Sequence, residues 1–289
     1  MHTCGTLYVV ATPIGNLGDI TQRALEVLRS VDLVAAEDTR HSGQLLTRLG
    51  IQARFVALHE HNEQQISARL VTDMQAGKNV ALVTDAGTPA ISDPGTLLVA
   101  AAHAAGITVV PVPGASAVIC ALSAAGVVAP HWLFYGFLPA KSSARRNALA
   151  ALARLPYVLV FYEAPHRILD CVADLAETLG GTRRVTLARE LTKLFESIHS
   201  LPLGEAQAWL AADPNRQKGE FVLIVEGAPV ADADEDTLRL RDTLAVLLEE
   251  LPVKQAAQLA ARLTGQKKNA AYELALQMRD AAAGHEEKT

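Results

Sequence analysis

The chain has 289 residues, of which 50% are hydrophobic, 20% charged and only 4% aromatic. That balance excludes a disordered chain, and the length allows two modest domains in place of one large core. A formal net charge of −5 excludes a protein that coats nucleic acid by charge alone, though a local basic patch can still dock a specific site.

The first part of the chain alternates strand and helix. Leu7 to Ala11 is a short apolar run between turn residues and reads as a buried strand. Asp19 offers an N-cap with Gln22 in the capping-box position, ahead of Ile20, Ala24, Leu25 and Leu28 at helical spacing. Leu33 to Ala36 is a second strand, Ser42 an N-cap for the next helix, and Gly50 its left-handed terminator. Arg54 to Leu58 and Val80 to Val83 are further strands, flanking a helix from Glu63 to Gln75 that Asn62 can cap. Asp93-Pro94 reads as an N-cap with Pro in the first turn, Gly106 closes that helix, and Ile107 to Val110 is the fifth strand. Such repeated β-α units predict a largely parallel sheet covered by helices.

Pro111 to Gly114 marks a boundary, followed by a small-residue helix over Ala115 to Ala125. Strand-like runs at Trp132 to Gly136, Tyr157 to Tyr162, Val185 to Ala188 and Phe221 to Val225 then enclose helices near Ser143 to Leu155 and His166 to Leu179, a second α/β domain. Asp232, Asp234, Glu235 and Asp236 read as an acidic linker. Leu238 to Leu248 and Val253 to Met278, interrupted at Thr264-Gly265, read as a helical tail, either a helix-turn-helix or a packed helical hairpin. The expected domains are therefore 1–114, 115–229 and 230–289.

In a parallel sheet, ligands bind beyond the carboxyl ends of the strands, so the residues just after each strand carry the information. Thr12 to Asp19 holds a Pro and two Gly, but neither a G-x-G-x-x-G pattern nor the Lys of a phosphate-binding loop. Glu37-Asp38-Thr39-Arg40-His41 sets two carboxylates beside a cation, either to position a substrate or as a solvated loop closed by an ion pair. His59 and His61 raise a metal hypothesis, but no carboxylate or cysteine completes a ligand set, and no metal is expected. Asp85 to Thr88 places a carboxylate and small residues where a nucleoside-like ligand fits, or forms an Asx-turn. Ser116-Ala117 leaves room at a helix start. Phe161 to Arg167 and Ala188 to Glu196 add dense charge after apolar strands, for function or for an ion-pair network.

Taken in order, these stretches resemble the tetrapyrrole-methylase superfamily, and within it most closely the branch acting on small-subunit ribosomal RNA. The matching residues are Val10 to Leu17, Ala36 to Arg40, Asp85 to Pro89 with Asp93-Pro94-Gly95, and Pro113 to Ala117. Gly136 to Pro139, Phe161 to Glu163 with His166-Arg167, Arg189 to Lys193 and Lys218 to Gly227 continue them. No single motif is decisive, whereas the ordered set from Leu7 to Gly227 is specific. The resemblance implies a two-domain tetrapyrrole-methylase-like α/β fold with the cofactor cleft between the domains, plus a small C-terminal helical domain. It implies S-adenosylmethionine as cofactor, a homodimer, and methyl transfer to the ribose 2′-hydroxyl of cytidine 1402 in 16S rRNA within the small ribosomal subunit. By the family pattern, Pro13, Asp85, Ala86, Gly87, Thr88, Ser116, Ala117, Tyr162 and Ala188 border the cofactor.

Aligned displacement at the methyl needs a group that takes the hydroxyl proton or stabilises the developing charge. Lys193 and Arg189 are candidates for the second role, and Glu163, Glu37 and His166 for the first. Lys141, Arg145 and Arg146 are the leading RNA contacts, with Arg183, Arg184, Arg262, Lys267 and Lys268 behind them. Two alternatives stand beside this reading: a small tetrapyrrole as substrate, or a cofactor-binding, ribosome-associated module without catalysis. Cys4, Cys120 and Cys171 are odd in number and show no paired spacing, which fits a reducing compartment. With no signal-like start and no apolar run of membrane length, the expected location is the cytoplasm and no membrane partner is expected.

Overall fold

Short β-rich apolar runs form two five-stranded sheets in a computed structural model, which describes residues 4–229 and 234–286 and, in the second stretch, the side chains of 237–279. The first sheet holds β1 (Thr6–Val10), β2 (Leu33–Ala36), β3 (Phe55–Ala57), β4 (Val80–Leu82) and β5 (Thr108–Val112), in the order β3-β2-β4-β1-β5. All of its pairings are parallel, as the β-α rhythm predicts. Alternate residues feed two cores: Leu7 joins Leu58, Leu70 and Met74 on one face, and Val10 joins Leu28, Val34 and Leu46 on the other. Helices α1 (Gln22–Ser30), α2 (Thr39–Arg48), α3 (Glu63–Gln75) and α4 (Thr96–Ala104) make the connections.

The helix starts differ from the expected caps. Asp19 ends a short 3-10 turn, and Thr21 caps α1 by accepting from the Ala24 amide. Asp38 caps α2 through the Arg40 and His41 amides, which leaves Ser42 buried inside the helix. Asn62 uses its side chain to close the loop before α3, accepting from the His59 amide at 2.8 Å and donating to the Ala57 carbonyl at 3.1 Å. Asp93-Pro94 lies outside α4, which starts after Gly95. The cap of α4 is tertiary: Glu63 Oε1, from the first turn of α3, accepts from the Gly95 and Leu97 amides at 2.8 Å each. A carboxylate 32 residues away cannot be found by reading caps locally.

After α5 (Ala117–Ala124), the second sheet holds β6 (Trp132–Phe137), β7 (Val158–Glu163), β8 (Arg184–Arg189), β9 (Ser197–Pro202) and β10 (Phe221–Val225), in the order β6-β7-β10-β8-β9. β6 and β7 are parallel, while β10 runs antiparallel to β7 and β8, and β9 antiparallel to β8. Helices α6 (Ser142–Leu152), α7 (Ile168–Leu179) and α8 (Leu203–Ala211) cover one face around Leu149, Phe161, Leu175 and Leu223. Val118 and Ala121 of α5 pack on the other face with Val160, Ala188 and Val222. Sequence periodicity misses β9 and α8. Edge strand β9 has a single buried residue and is half polar, so it carries no clean apolar alternation.

By contact density the chain divides at Ala228/Pro229. The second unit contains α9 (Asp234–Glu250), α10 (Val253–Thr264) and α11 (Lys268–Glu286), which share a core of Leu240, Leu244, Ala256, Ala260, Ala271 and Ala275. Asp234, Glu235 and Asp236 belong to α9 and not to a linker, while Asp232 lies outside the described residues. Gly265 ends α10 in the left-handed conformation, at φ 74°. Among the described residues no helix is long and apolar enough to cross a membrane.

A carboxylate-lined cleft as candidate active site

The parallel first sheet brings the ends of β1, β2, β4 and β5 to one edge, where their loops meet. Gly87 at φ 87° turns the loop after β4 back onto the loop after β1, and Thr12 and Gly87 exchange both backbone hydrogen bonds, at 2.9 and 3.1 Å. Thr12 Oγ1 also donates to the Thr84 carbonyl at 3.1 Å, and Thr88 Oγ1 to the Ala115 carbonyl at 3.0 Å. The second sheet supplies the ends of β6, β7 and β8. Because β10 is antiparallel to β7 and β8, its beginning lies at that same edge.

Between these edges is a cavity of about 450 Å³. Asp85, Ala86, Gly87, Thr88, Ser116, Ala117, Tyr162 and Ala188 line it, each a residue singled out from sequence. Pro13 is buried and absent from the lining, and Ile14 takes its place. Ile91 and Ser92 were not singled out from sequence, while Phe137, Leu191 and Glu220 to Val222 fell in the matching stretches without being assigned to the site. The last stretch was given no site role because only residues after strands were searched for one, whereas an antiparallel strand presents its start. Ala90 and Ser92 have positive φ of 64° and 96° in the loop that carries Ile91 and Asp93, strain of the kind found around ligands. Tyr162 is fixed within the second-sheet half of the cleft, its hydroxyl accepting from the Val118 amide at 3.2 Å and its ring meeting Phe134 and Phe137 edge-on.

Glu37, Asp85, Asp93, Glu163 and Glu220 give the cavity five carboxylates, and no lysine or arginine is among the described lining residues. Burial, followed by repulsion from Asp93, Asp85 and Asp38, raises the Glu37 carboxyl above its ordinary range. Burial likewise raises Asp93, with Asp85 adding to the effect and the nearby Thr84 hydroxyl opposing it. Asp85 Oδ1 is buried without a hydrogen-bond partner, an acceptor in want of a donor. Such a site favours a cationic ligand carrying an N–H or O–H group, and its small residues leave space for one.

Of the candidate catalytic groups, Glu37 and Glu163 reach the cavity and the rest do not. Glu163 is fully buried, with Oε1 accepting from the Ala164 amide at 2.8 Å and lying 3.0 Å from Arg167 Nε. Burial beside this carboxylate pushes the Cys171 thiol strongly up. Lys193 Nζ is held by Glu190 at 2.9 Å and Glu220 at 2.7 Å, which raise its pKa against the opposing effect of burial. Its stem lies against Gly15, where an added Cβ would come within 2.4 Å of Lys193 Cγ. Arg189 is spent on structure: its guanidinium donates to Ser197 Oγ and to the Asn215, Lys218 and Phe195 carbonyls. His166 is exposed and outside the lining.

Among the RNA candidates, Arg145 requires correction. It is buried, and its Nε donates to Asp174 at 2.7 Å, so it has no surface to offer a phosphate. Its place on the inward stripe of α6, one turn before Leu149, was the available signal. Arg146 is exposed but bound to Glu177, while Lys141 is exposed. Arg183 points a guanidinium nitrogen at the Ala153 carbonyl, and Arg184 donates to Ser200.

Comparison with known proteins bears on this geometry. The family model for tetrapyrrole (corrin/porphyrin) methylases matches residues 6–207, and that for the RsmI C-terminal HTH domain matches residues 231–279. Ribosomal RNA small subunit methyltransferase I of Escherichia coli O157:H7 is 57% identical over 273 residues, covering 94% of this chain and 95% of that one. The protein of the same name from Pseudomonas aeruginosa is 54% identical over 279 residues, covering 95% and 98%. Among solved structures, the methyltransferase CobJ superposes with a TM-score of 0.58 at 18% identity, covering 79% of this chain and 96% of that one. Uroporphyrin-III C-methyl transferase from Thermus thermophilus, complexed with S-adenyl homocysteine, gives 0.54 at 17% identity, covering 77% and 97%. At these identities the solved structures establish the fold alone.

Proposed function

The chain belongs to the tetrapyrrole (corrin/porphyrin) methylase family, in the group of ribosomal RNA small subunit methyltransferases I, and from that membership we propose that it is an S-adenosylmethionine-dependent enzyme that methylates the ribose 2′-hydroxyl of a cytidine in 16S rRNA. The observation that supports the cofactor is the cavity itself, with carboxylates around it, no lysine or arginine among its described lining residues and an orphaned acceptor at Asp85. When bound, S-adenosylmethionine supplies an electrophilic methyl group on a sulfonium, so attack by the ribose oxygen needs no metal.

Asp85 to Thr88, Ser116, Ala117, Tyr162 and Ala188 are the proposed cofactor contacts, with Ile14 beside them. Glu37 is the proposed proton acceptor, because burial and its acidic neighbours make it a stronger base than an ordinary carboxylate. Glu163 and Arg167 are assigned to holding the loop after β7: Arg167 also donates to the Leu138 carbonyl at 2.5 Å, at the end of β6. Lys193, neutralised by Glu190 and Glu220, is assigned to the substrate side of the cleft. In the same proposal residues 1–114 and 115–229 form its two walls, and the protein acts as a homodimer in the cytoplasm.

The test uses methyl-labelled cofactor with small subunits lacking the modification, and a tetrapyrrole precursor as a parallel substrate. Label in the subunit RNA is expected. Label in the tetrapyrrole alone, or in neither, would overturn the proposal.

A further inference from the structure

A second, open groove of about 650 Å³ lies along α2. Arg40, Gln44 and Arg48 are spaced four residues apart and share one face of that helix, over about 12 Å of its length. Gln52 and Phe55 also line it, and Gly43 leaves room beside the Phe55 ring, the nearest group to its absent Cβ at 3.9 Å. The lining contains two arginines and no carboxylate, in a chain of net charge −5. Arg48 is exposed, and among the described residues no hydrogen bond or ion pair engages its guanidinium. Arg40 is 88% exposed and bonded to Asp38, whose carboxyl that hydrogen bond lowers to about 2.

The groove and the cleft draw on residues adjacent in sequence. Glu37 lines the cleft and Thr39 and Arg40 line the groove, so the carboxyl end of β2 feeds both. A strand whose ribose reaches Glu37 has its flanking backbone at the N-terminus of α2. Guanidinium forks for phosphates, side-chain amides for sugar or base edges, and an aromatic ring in the wall are the groups that hold single-stranded RNA. We propose that the α2 groove binds the RNA strand flanking the methylated nucleotide, with Arg48 and Arg40 on its phosphates. The assignment rests on the proposed RNA substrate and adds a site to the basic stretch at Lys141 to Arg146, in which Arg145 is buried and Arg146, like Arg40 in the groove, already has a carboxylate partner.

The test compares full-length wild type with Arg48→Ala, Arg48→Gln and Arg40→Ala/Arg48→Ala. Lys78→Ala is the charge-matched control, at the amino end of β4 and away from both sites. The substituted side chains are exposed on a helix, so melting temperatures should agree. Binding to a labelled single-stranded fragment of small-subunit RNA is measured against salt, and KM and kcat are measured on unmodified subunits. Each arginine removed is expected to flatten the salt slope by about 1 and raise KM several-fold, with kcat and cofactor affinity kept within about twofold. An unchanged slope and KM in the double variant, with wild type active, would overturn the groove and leave the enzymatic reading intact. Weakening seen with whole subunits but not with the RNA fragment would point to a ribosomal protein in the groove and overturn the RNA assignment. A wild type that transfers no methyl would sink the enzymatic reading, while the RNA-binding slopes would still decide the groove.

Discussion

Burial and crowding by like charges raise the Glu37 and Asp93 carboxyls, which fixes the sign of two measurable effects. A carboxyl with a folded pKa above its unfolded value contributes stability in acid and loses that contribution as pH rises through the folded value. Glu37→Gln and Asp93→Asn are therefore expected to raise the melting temperature of the free protein at neutral pH and to leave it unchanged in acid. The same substitutions should weaken binding of a cationic cofactor, and wild-type binding should release protons and tighten as pH rises. Calorimetry across pH separates the effects: a neutral variant less stable than wild type at neutral pH would show that these carboxylates are not strained. Part of this site was legible in residues. Asp85 to Thr88 and Tyr162 stood out as strand-end groups, but the crowding of Glu37 by Asp93 depends on where two loops 56 residues apart in sequence settle.

Elements that hold the cleft depend on side chains far from it in sequence. Glu63→Ala would leave the Gly95 and Leu97 amides without their acceptor, costing about 1–3 kcal/mol, and would loosen the loop carrying Ser92 and Asp93. Reduced stability in urea together with weaker cofactor binding is expected, with Glu63→Gln recovering part of both. Wild-type cofactor affinity in the alanine variant would detach α4 from the site. Arg189 holds the 190–196 and 213–220 loops on the second-sheet side of the cleft. Arg189→Ala, and Arg189→Lys nearly as much, should expose residues 190–196 to limited proteolysis, because an ammonium cannot reproduce a fork bonded to three carbonyls. Proteolysis unchanged in both variants would remove that role. Apart from β9 and α8, strand and helix existence was legible from periodicity, since apolar runs report burial directly. Caps were not: Asp19 and Ser42 have the right chemistry, but Thr21 and Asp38 reach the amides.

For the whole molecule, the β-α rhythm of the first half carried its parallel sheet, because apolar residues feed a core on each face of the sheet and every crossover is a helix. The second sheet was harder to read, as its mixed directions and polar edge strand β9 leave no regular period. The helical unit buries its own core, distinct from the clusters of residues 4–228. Unfolding is accordingly expected as two calorimetric transitions, the smaller absent after truncation at Ala228, and a single unchanged transition would argue against independent units. The central claim is the site of methylation, and nuclease digestion of subunit RNA methylated in vitro, followed by nucleoside mass spectrometry, tests it most directly. The expected product is 2′-O-methylcytidine. Methyl recovered on a base, or on a ribose other than that of cytidine, would contradict the claim.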